Sequence, residues 1–353
     1  MFSPFDLQFK IQGKQFDSVE ELLHFSETLP KDVSQFLQNW FDSSDTITVK
    51  TSGSTGAPKL ISLKKEQMIE SAKATGLFFD LQKDTKALLN LSADYIAGKM
   101  MLVRTMVLGW HLTIVSPESN PLKNLSETFD FGAMVPLQLH ESLNEISQIK
   151  KIIIGGGAVS PELQKKIQNV SSEIYATYGM TETITHIAAK KLNHIQTKED
   201  SYYQILPNIS ISKDERDCLV IDASKISDEK VITNDLVNII DEKHFEWLGR
   251  FDSVINSGGI KLIPEQIEAK LSEIIESRFF VSGILDEKLG EKLVLIIEGK
   301  KTEKLESEIL NKIKSSDSLN KFEKPKEIYF IEKFVETETK KIQRKRTLDL
   351  GNI

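Results

Sequence analysis

Short apolar runs alternate with stretches of helical periodicity along the first two thirds of this chain, and they restrict its fold more than any other feature. Leu7, Phe9 and Ile11 alternate with polar residues as a strand does, and Ser18 with Glu21 has capping-box spacing ahead of Leu22, Leu23 and Phe25. A second alternation, Thr46 to Val49, leads through a loop of Gly, Ser and Thr into a helical stretch from Lys65 to Phe79. The order returns at Lys86 to Leu91, at Thr113 to Val115, and at Lys151 to Ile154, which runs into Gly155, Gly156 and Gly157 before the helical SPELQKKIQ. Strands separated by helices have both faces covered, so the expectation is a mostly parallel α/β sheet.

From about Asp217 the texture changes to CLVIDA, KVITN and LVNIID with tight polar connections, which predicts an antiparallel appendage. After GRFDSVINSGG, Pro264 opens a helix carrying Ile267, Leu271 and Ile274 on one face, and VLIIEG and EIYFI then alternate with the helical EKLESEILNKI. The expected fold class is α/β and α+β, with a large N-terminal domain at residues 1–250 and a small C-terminal domain at 251–353. A length of 353 residues suits two domains, and 40% hydrophobic with 27% charged residues is the balance of a folded globular chain.

A net charge of −7 disfavours nucleic acid as the main partner. Cys218 is the sole cysteine, which excludes an intramolecular disulfide and a cysteine-based zinc site, as expected of a reducing compartment. The N-terminal MFSPFDLQFKIQGKQFDS lacks a basic start followed by an apolar stretch. No run approaches the roughly 18 apolar residues of a membrane span, so a cytoplasmic location is expected.

The strongest local signal is Thr51-Ser52-Gly53-Ser54-Thr55-Gly56-Ala57-Pro58-Lys59. Glycines let successive amides aim at an anion, hydroxyls add donors, and Lys59 supplies positive charge, which together point to phosphate. The ordinary nucleotide loop does not fit, because Pro58 stands where that pattern wants glycine and Leu60 where it wants a magnesium-binding hydroxyl. A flexible linker is the bland alternative. Gly155 to Gly157 follow a strand, but Ser160 occupies the third glycine position of a dinucleotide fingerprint, so a floor for a flat adenine fits better.

With IIIGGGAVS, YATYGMTE, TNDL, GRFDSVINSGGIKLIPEQIE and KKIQRK following the first motif in order from Thr51 to Lys345, the chain resembles the adenylate-forming superfamily. That superfamily comprises acyl-CoA synthetases, peptide-synthetase adenylation domains and luciferases. The resemblance implies an acid–thiol ligase using ATP, Mg2+ and coenzyme A, with a mobile C-terminal domain. It makes Thr51, Ser52, Gly53, Ser54, Thr55, Gly56 and Lys59 the phosphate loop, and Gly156, Gly157 and Ala158 the adenine floor. Tyr178 then stacks on adenine beside Gly179, Thr181 reaches the α-phosphate, and Glu182 holds magnesium, which prefers oxygen ligands. Asp235 and Arg250 take the ribose, Asp252 is the hinge, and Gly258 with Gly259 lines the thiol channel after the domain swings. A core tyrosine, surface salt bridges and a tight turn are the respective bland alternatives.

Lys341 corresponds to the catalytic lysine, although Lys340 stands where relatives usually have glycine. Five basic residues between 340 and 346 otherwise read as a solvated tail or a polyanion patch. Compact length, little chain before the phosphate loop, MVPLQL, YGMTETITHIA and NSGGIKLIPEQIE look like the o-succinylbenzoate–CoA ligases of menaquinone biosynthesis. That acid has a second carboxylate, for which Lys99 and Arg104 are the candidate partners; either residue is equally a surface charge. His186 is a further candidate to line that acid's pocket, although a packed histidine is the first reading. The alternatives are a ligase for another small or aromatic acid, one that loads a carrier protein, and a non-catalytic nucleotide-binding regulator.

Overall fold

The computed structural model describes residues 8–50, 60–337, 342–351 and 353. Its main element is a twelve-stranded sheet. The parallel half runs in the order Lys10–Ile11, His111–Ile114, Lys86–Leu89, Phe129–Met134, Ile149–Ile154 and Glu173–Gly179. The antiparallel half continues with His186–Lys191, Tyr203–Ile205, His244–Arg250, Val231–Ile239, Cys218–Asp222 and Ser210–Lys213. Helix Lys65–Phe78 packs beside helix Ile96–Leu108, whose buried Met100, Met101, Leu102, Val103 and Met106 give it no solvent stripe, as suits a helix enclosed by protein.

Two expectations are corrected. The strands after Asp217 are antiparallel but form no appendage; they extend the main sheet, and KVITN with LVNIID is one strand, Val231–Ile239, with a register shift between Leu236 and Val237. Against Cys218–Asp222 the strand carries extra residues between Ile232 and Leu236, which breaks the strict alternation that a regular strand would show. The phosphate motif does not lead directly into a helix either. Leu60–Lys64 is a strand paired antiparallel with Thr46–Lys50, so residues 51–59 join the two strands of a ribbon. Leu60, Ile61 and Leu63 are too short an apolar run to separate by period from the helix that follows at Lys65.

A separate five-stranded sheet holds Ile260–Leu262, Ile255–Ser257, Gly290–Glu298 and Phe279–Asp286 in order, with Glu327–Ile331 parallel to Gly290–Glu298. Strand alternation divides its two cores. Leu293, Leu295 and Ile297 face helices Pro264–Leu271 and Glu303–Ser315 through Ile267, Leu271, Ile309 and Ile313. Val294 and Ile296 face Phe280, Phe334 and Leu348, the last on helix Arg344–Leu350. Ile274 joins the first cluster from beyond its helix end. No helix among the described residues is long and apolar enough to cross a membrane.

Candidate functional site

The parallel strands Ile149–Ile154 and Glu173–Gly179 end side by side, and the candidate nucleotide residues follow those carboxyl ends, where open α/β sheets bind ligands. Gly155, Gly156, Gly157 and Ala158 continue the first strand, and the Thr177 hydroxyl donates to the Ile154 carbonyl at 3.0 Å, tying that turn to the neighbouring strand. Gly179 closes the second strand under tight constraint: a Cβ there would sit 2.2 Å from the Thr185 carbonyl oxygen and 2.5 Å from the His186 Cα. Only glycine lets the two backbones approach so closely.

Beyond it, Thr181–Thr183 makes a single 3-10 turn, and Ile184 leaves it at φ +64°, a strained conformation for a β-branched residue. Glu182 lies exposed on that turn. Among the described residues no three His, Cys, Asp or Glu side chains cluster as a metal cage. A single carboxylate, next in sequence to Thr181, is a donor set magnesium accepts, because it keeps several waters and shares its remaining ligands with substrate phosphates.

The structure joins Tyr178, Asp235, Arg250 and Asp252 directly. The Tyr178 hydroxyl donates to Asp235 Oδ2 at 2.7 Å, while Arg250 Nη1 lies 3.5 Å from Asp235 Oδ1 and Arg250 Nη2 bonds Asp252 at 3.1 Å. Burial, followed by the Asp235 charge, pushes the Tyr178 hydroxyl far above its ordinary pKa, so it stays a donor. Trp247, absent from the sequence-derived set, donates its indole N–H to Asp235 Oδ1 at 3.1 Å. The Tyr178 ring meets Tyr203 and Phe245 edge-on at centroid distances of 5.8 and 5.3 Å.

Lys99 and Arg104 share a helix but diverge. The Lys99 ammonium bonds the Ala93 carbonyl and lies 5.6 Å from the Phe36 ring centre. Arg104 is 2% exposed, its contacts are Met101 Sδ at 3.7 Å and the Thr185 hydroxyl at 3.4 Å, and its Nε has no hydrogen-bond partner. Among the described residues no carboxylate pairs with it, and desolvation drives its pKa down to about 9. His186 is packed, as expected, yet its Nε2 also has no partner; burial, then Arg104, hold it well below its ordinary pKa. A cavity lined in part by Ser71, Ala74, His186, Leu206 and Ile226 opens beside it.

In the smaller unit, Gly258 and Gly259 have φ of +59° and +83° and join Ser257 to Ile260, the two-residue hairpin turn for which positive φ at both positions is required. Thr51 to Lys59, Lys340 and Lys341 lie outside the described residues. The chain after them is anchored where Arg344 donates to Glu268 at 2.9 Å. Burial outweighs that ion pair and pushes the Glu268 carboxyl from 4.5 up to about 7. The folded state therefore holds a proton that the unfolded chain releases first, and stability is expected to fall as pH rises from about 4.5 to about 7, then to level off. Urea titrations across that range should show the slope in the wild type and its loss in Glu268→Gln; an unchanged slope in the variant would assign it to other groups.

A glycine run at the carboxyl end of one parallel strand, with a tyrosine–aspartate–arginine cluster reached from the next, is the arrangement of a ligand-binding α/β protein. The AMP-binding enzyme model matches residues 6–217, well over half the chain, and the protein belongs to that family. It is 38% identical to a Dyadobacter fermentans protein described as acyl-CoA synthetase (AMP-forming)/AMP-acid ligase II-like, over 93% of this chain and 97% of that one, with a TM-score of 0.62. It is 25% identical to a 2-succinylbenzoate–CoA ligase of Bacillus cereus over 92% of this chain and 75% of that relative. The o-succinylbenzoate CoA synthetase of Bacillus subtilis, solved with its acyl-adenylate intermediate, shares the fold at a TM-score of 0.71 and 18% identity, over 93% of this chain and 80% of that one.

Proposed function

We propose that this protein is an AMP-forming acid–CoA ligase whose acid is o-succinylbenzoate. The observation that carries the choice of acid is Arg104, a buried guanidinium with no carboxylate partner among the described residues, whose hydrogen bond to the Thr185 hydroxyl ties it to the segment just after the Glu182 turn. An unpaired buried cation is costly unless a ligand supplies the missing charge. The second carboxylate of o-succinylbenzoate supplies it, with the buried His186 close enough to feel the same charge; Lys99 is satisfied elsewhere.

A carboxylate has too poor a leaving group for thiol attack, so one carboxylate oxygen first attacks the α-phosphorus of ATP and pyrophosphate leaves. The CoA sulfur then attacks the carbonyl carbon of the mixed anhydride and AMP leaves. Tyr178 stacks on adenine over Gly155 to Ala158, Asp235 and Arg250 take the ribose, and Thr181 bonds the α-phosphate. Glu182 would hold magnesium, which neutralises phosphate charge when bound. Thr51 to Lys59 and Lys341 stabilise the charge that builds on the phosphates. Residues 1–250 and 251–353 act as two domains hinged at Asp252, between the last main-sheet strand, ending at Arg250, and the first small-sheet strand, starting at Ile255. Gly258 and Gly259 line the thiol channel after rotation. The reaction is placed in the cytoplasm, where all three substrates are soluble.

The test is acid-dependent ATP–pyrophosphate exchange, followed by CoA thioester formation, over a panel of o-succinylbenzoate, benzoate, acetate and a fatty acid. The expected result is a kcat/KM preference for o-succinylbenzoate in both half-reactions. Turnover of another acid in its place would reject the substrate and leave the ligase; exchange with none would reject the ligase.

A further inference from the structure

The Asp235 carboxylate accepts one hydrogen bond on each oxygen, from Tyr178 at 2.7 Å on Oδ2 and from the Trp247 indole at 3.1 Å on Oδ1, with Arg250 Nη1 3.5 Å from Oδ1. It is 6% exposed, so its geometry is set by protein. Trp247 reaches it only because of the irregular ladder between Val231–Ile239 and His244–Arg250. Arg250 pairs with Asp235, Gly249 with Leu236, and Trp247 with Val237, the register slipping between Leu236 and Val237. Residues 247 and 250 are an odd number apart and would face opposite sides of a regular strand. The bulge turns both toward Asp235.

Indole has one N–H and no acceptor, and each carboxylate oxygen offers about two lone-pair sites. With one site per oxygen occupied, rotation about Cβ–Cγ would break a bond, and the remaining acceptor sites point in a constant direction. We infer that Trp247 is a positioning residue that aims the Asp235 carboxylate at the ribose hydroxyls and so sets the preference for ribonucleotide over 2′-deoxyribonucleotide. The inference rests on the ribose role of Asp235 proposed above. A fixed acceptor left unpaired when the 2′-hydroxyl is missing penalises the deoxy substrate, whereas a carboxylate free to turn tolerates it.

The experiment compares ATP with 2′-deoxy-ATP in pyrophosphate exchange for wild type, Trp247→Phe, Asp235→Asn and the double variant. The ratio of the two kcat/KM values in one preparation is independent of its active fraction, so a partly unfolded variant still reports; should Trp247→Phe not fold, Trp247→Met is read in the same way. Trp247→Phe is expected to lower the ratio about tenfold, the scale of a hydrogen bond to a charged group. KM for ATP should rise while kcat and KM for the acid stay put, and the substitution should add nothing in the Asp235→Asn background. A wild-type ratio in Trp247→Phe, with the ratio lost in Asp235→Asn, would reduce Trp247 to packing and overturn the inference. A wild-type ratio in Asp235→Asn would overturn the ribose reading itself.

Discussion

Lys341→Ala is expected to lower acid-dependent ATP–pyrophosphate exchange by about 10²- to 10³-fold, the cost of losing one group aimed at developing transition-state charge. Thioester formation from supplied acyl-adenylate should remain close to wild type, since no phosphate charge builds up when the thiol attacks carbon. The motivation is the place of Lys341 beside Ile342 in the closing basic segment, whose continuation is held by Arg344 on Glu268. Stopped-flow or quenched measurements of the two half-reactions separate the effects. Equal losses in both would refute the charge-stabilising role, and a loss confined to Lys340→Ala would move the assignment by one residue.

Arg104→Met should produce effects of opposite sign on activity and stability. Breaking a buried ion pair costs roughly 3 to 5 kcal/mol, so kcat/KM for o-succinylbenzoate should fall by two to three decades or more. An analogue lacking the second carboxylate should be nearly unaffected. The free protein, by contrast, gains from the substitution: Arg104 is buried beside Met101 with its Nε unbonded, and an apolar side chain of similar length removes that desolvation cost. The melting temperature without ligand should be equal to or above wild type. A drop in stability together with equal losses for both acids would make Arg104 a structural residue. Lys99→Ala serves as the contrast, expected to discriminate the acids little because its ammonium is turned to the Ala93 carbonyl.

Much of the fold is legible in the sequence. Alternating strands and helices read as a parallel sheet because burial on both faces demands continuous apolar runs, and Gly155 to Gly157 mark the end of the Ile149–Ile154 strand because glycine is disfavoured within one. Element type in the Leu60–Lys64 strand was hidden, since five residues ahead of a helix carry too little period to be told apart. Lys99 and Arg104 looked equivalent in sequence. Five positions apart on one helix, they point to different surroundings, and only the packing of that helix decided which is buried with no carboxylate partner among the described residues.

Trp247 marks the sharpest division. The residue types that suit adenine, ribose and phosphate, and their order along the chain, are properties of the sequence itself, because each follows from the chemistry of a single side chain or a short backbone segment. Which donors share one carboxylate is a property of strand register. Strand periodicity assigns Trp247 and Arg250 to opposite faces, and a single irregularity opposite Leu236 and Val237 brings both to Asp235. Such a shift depends on how a neighbouring strand pairs, a contact between residues far apart in the chain, and tertiary structure alone determines it.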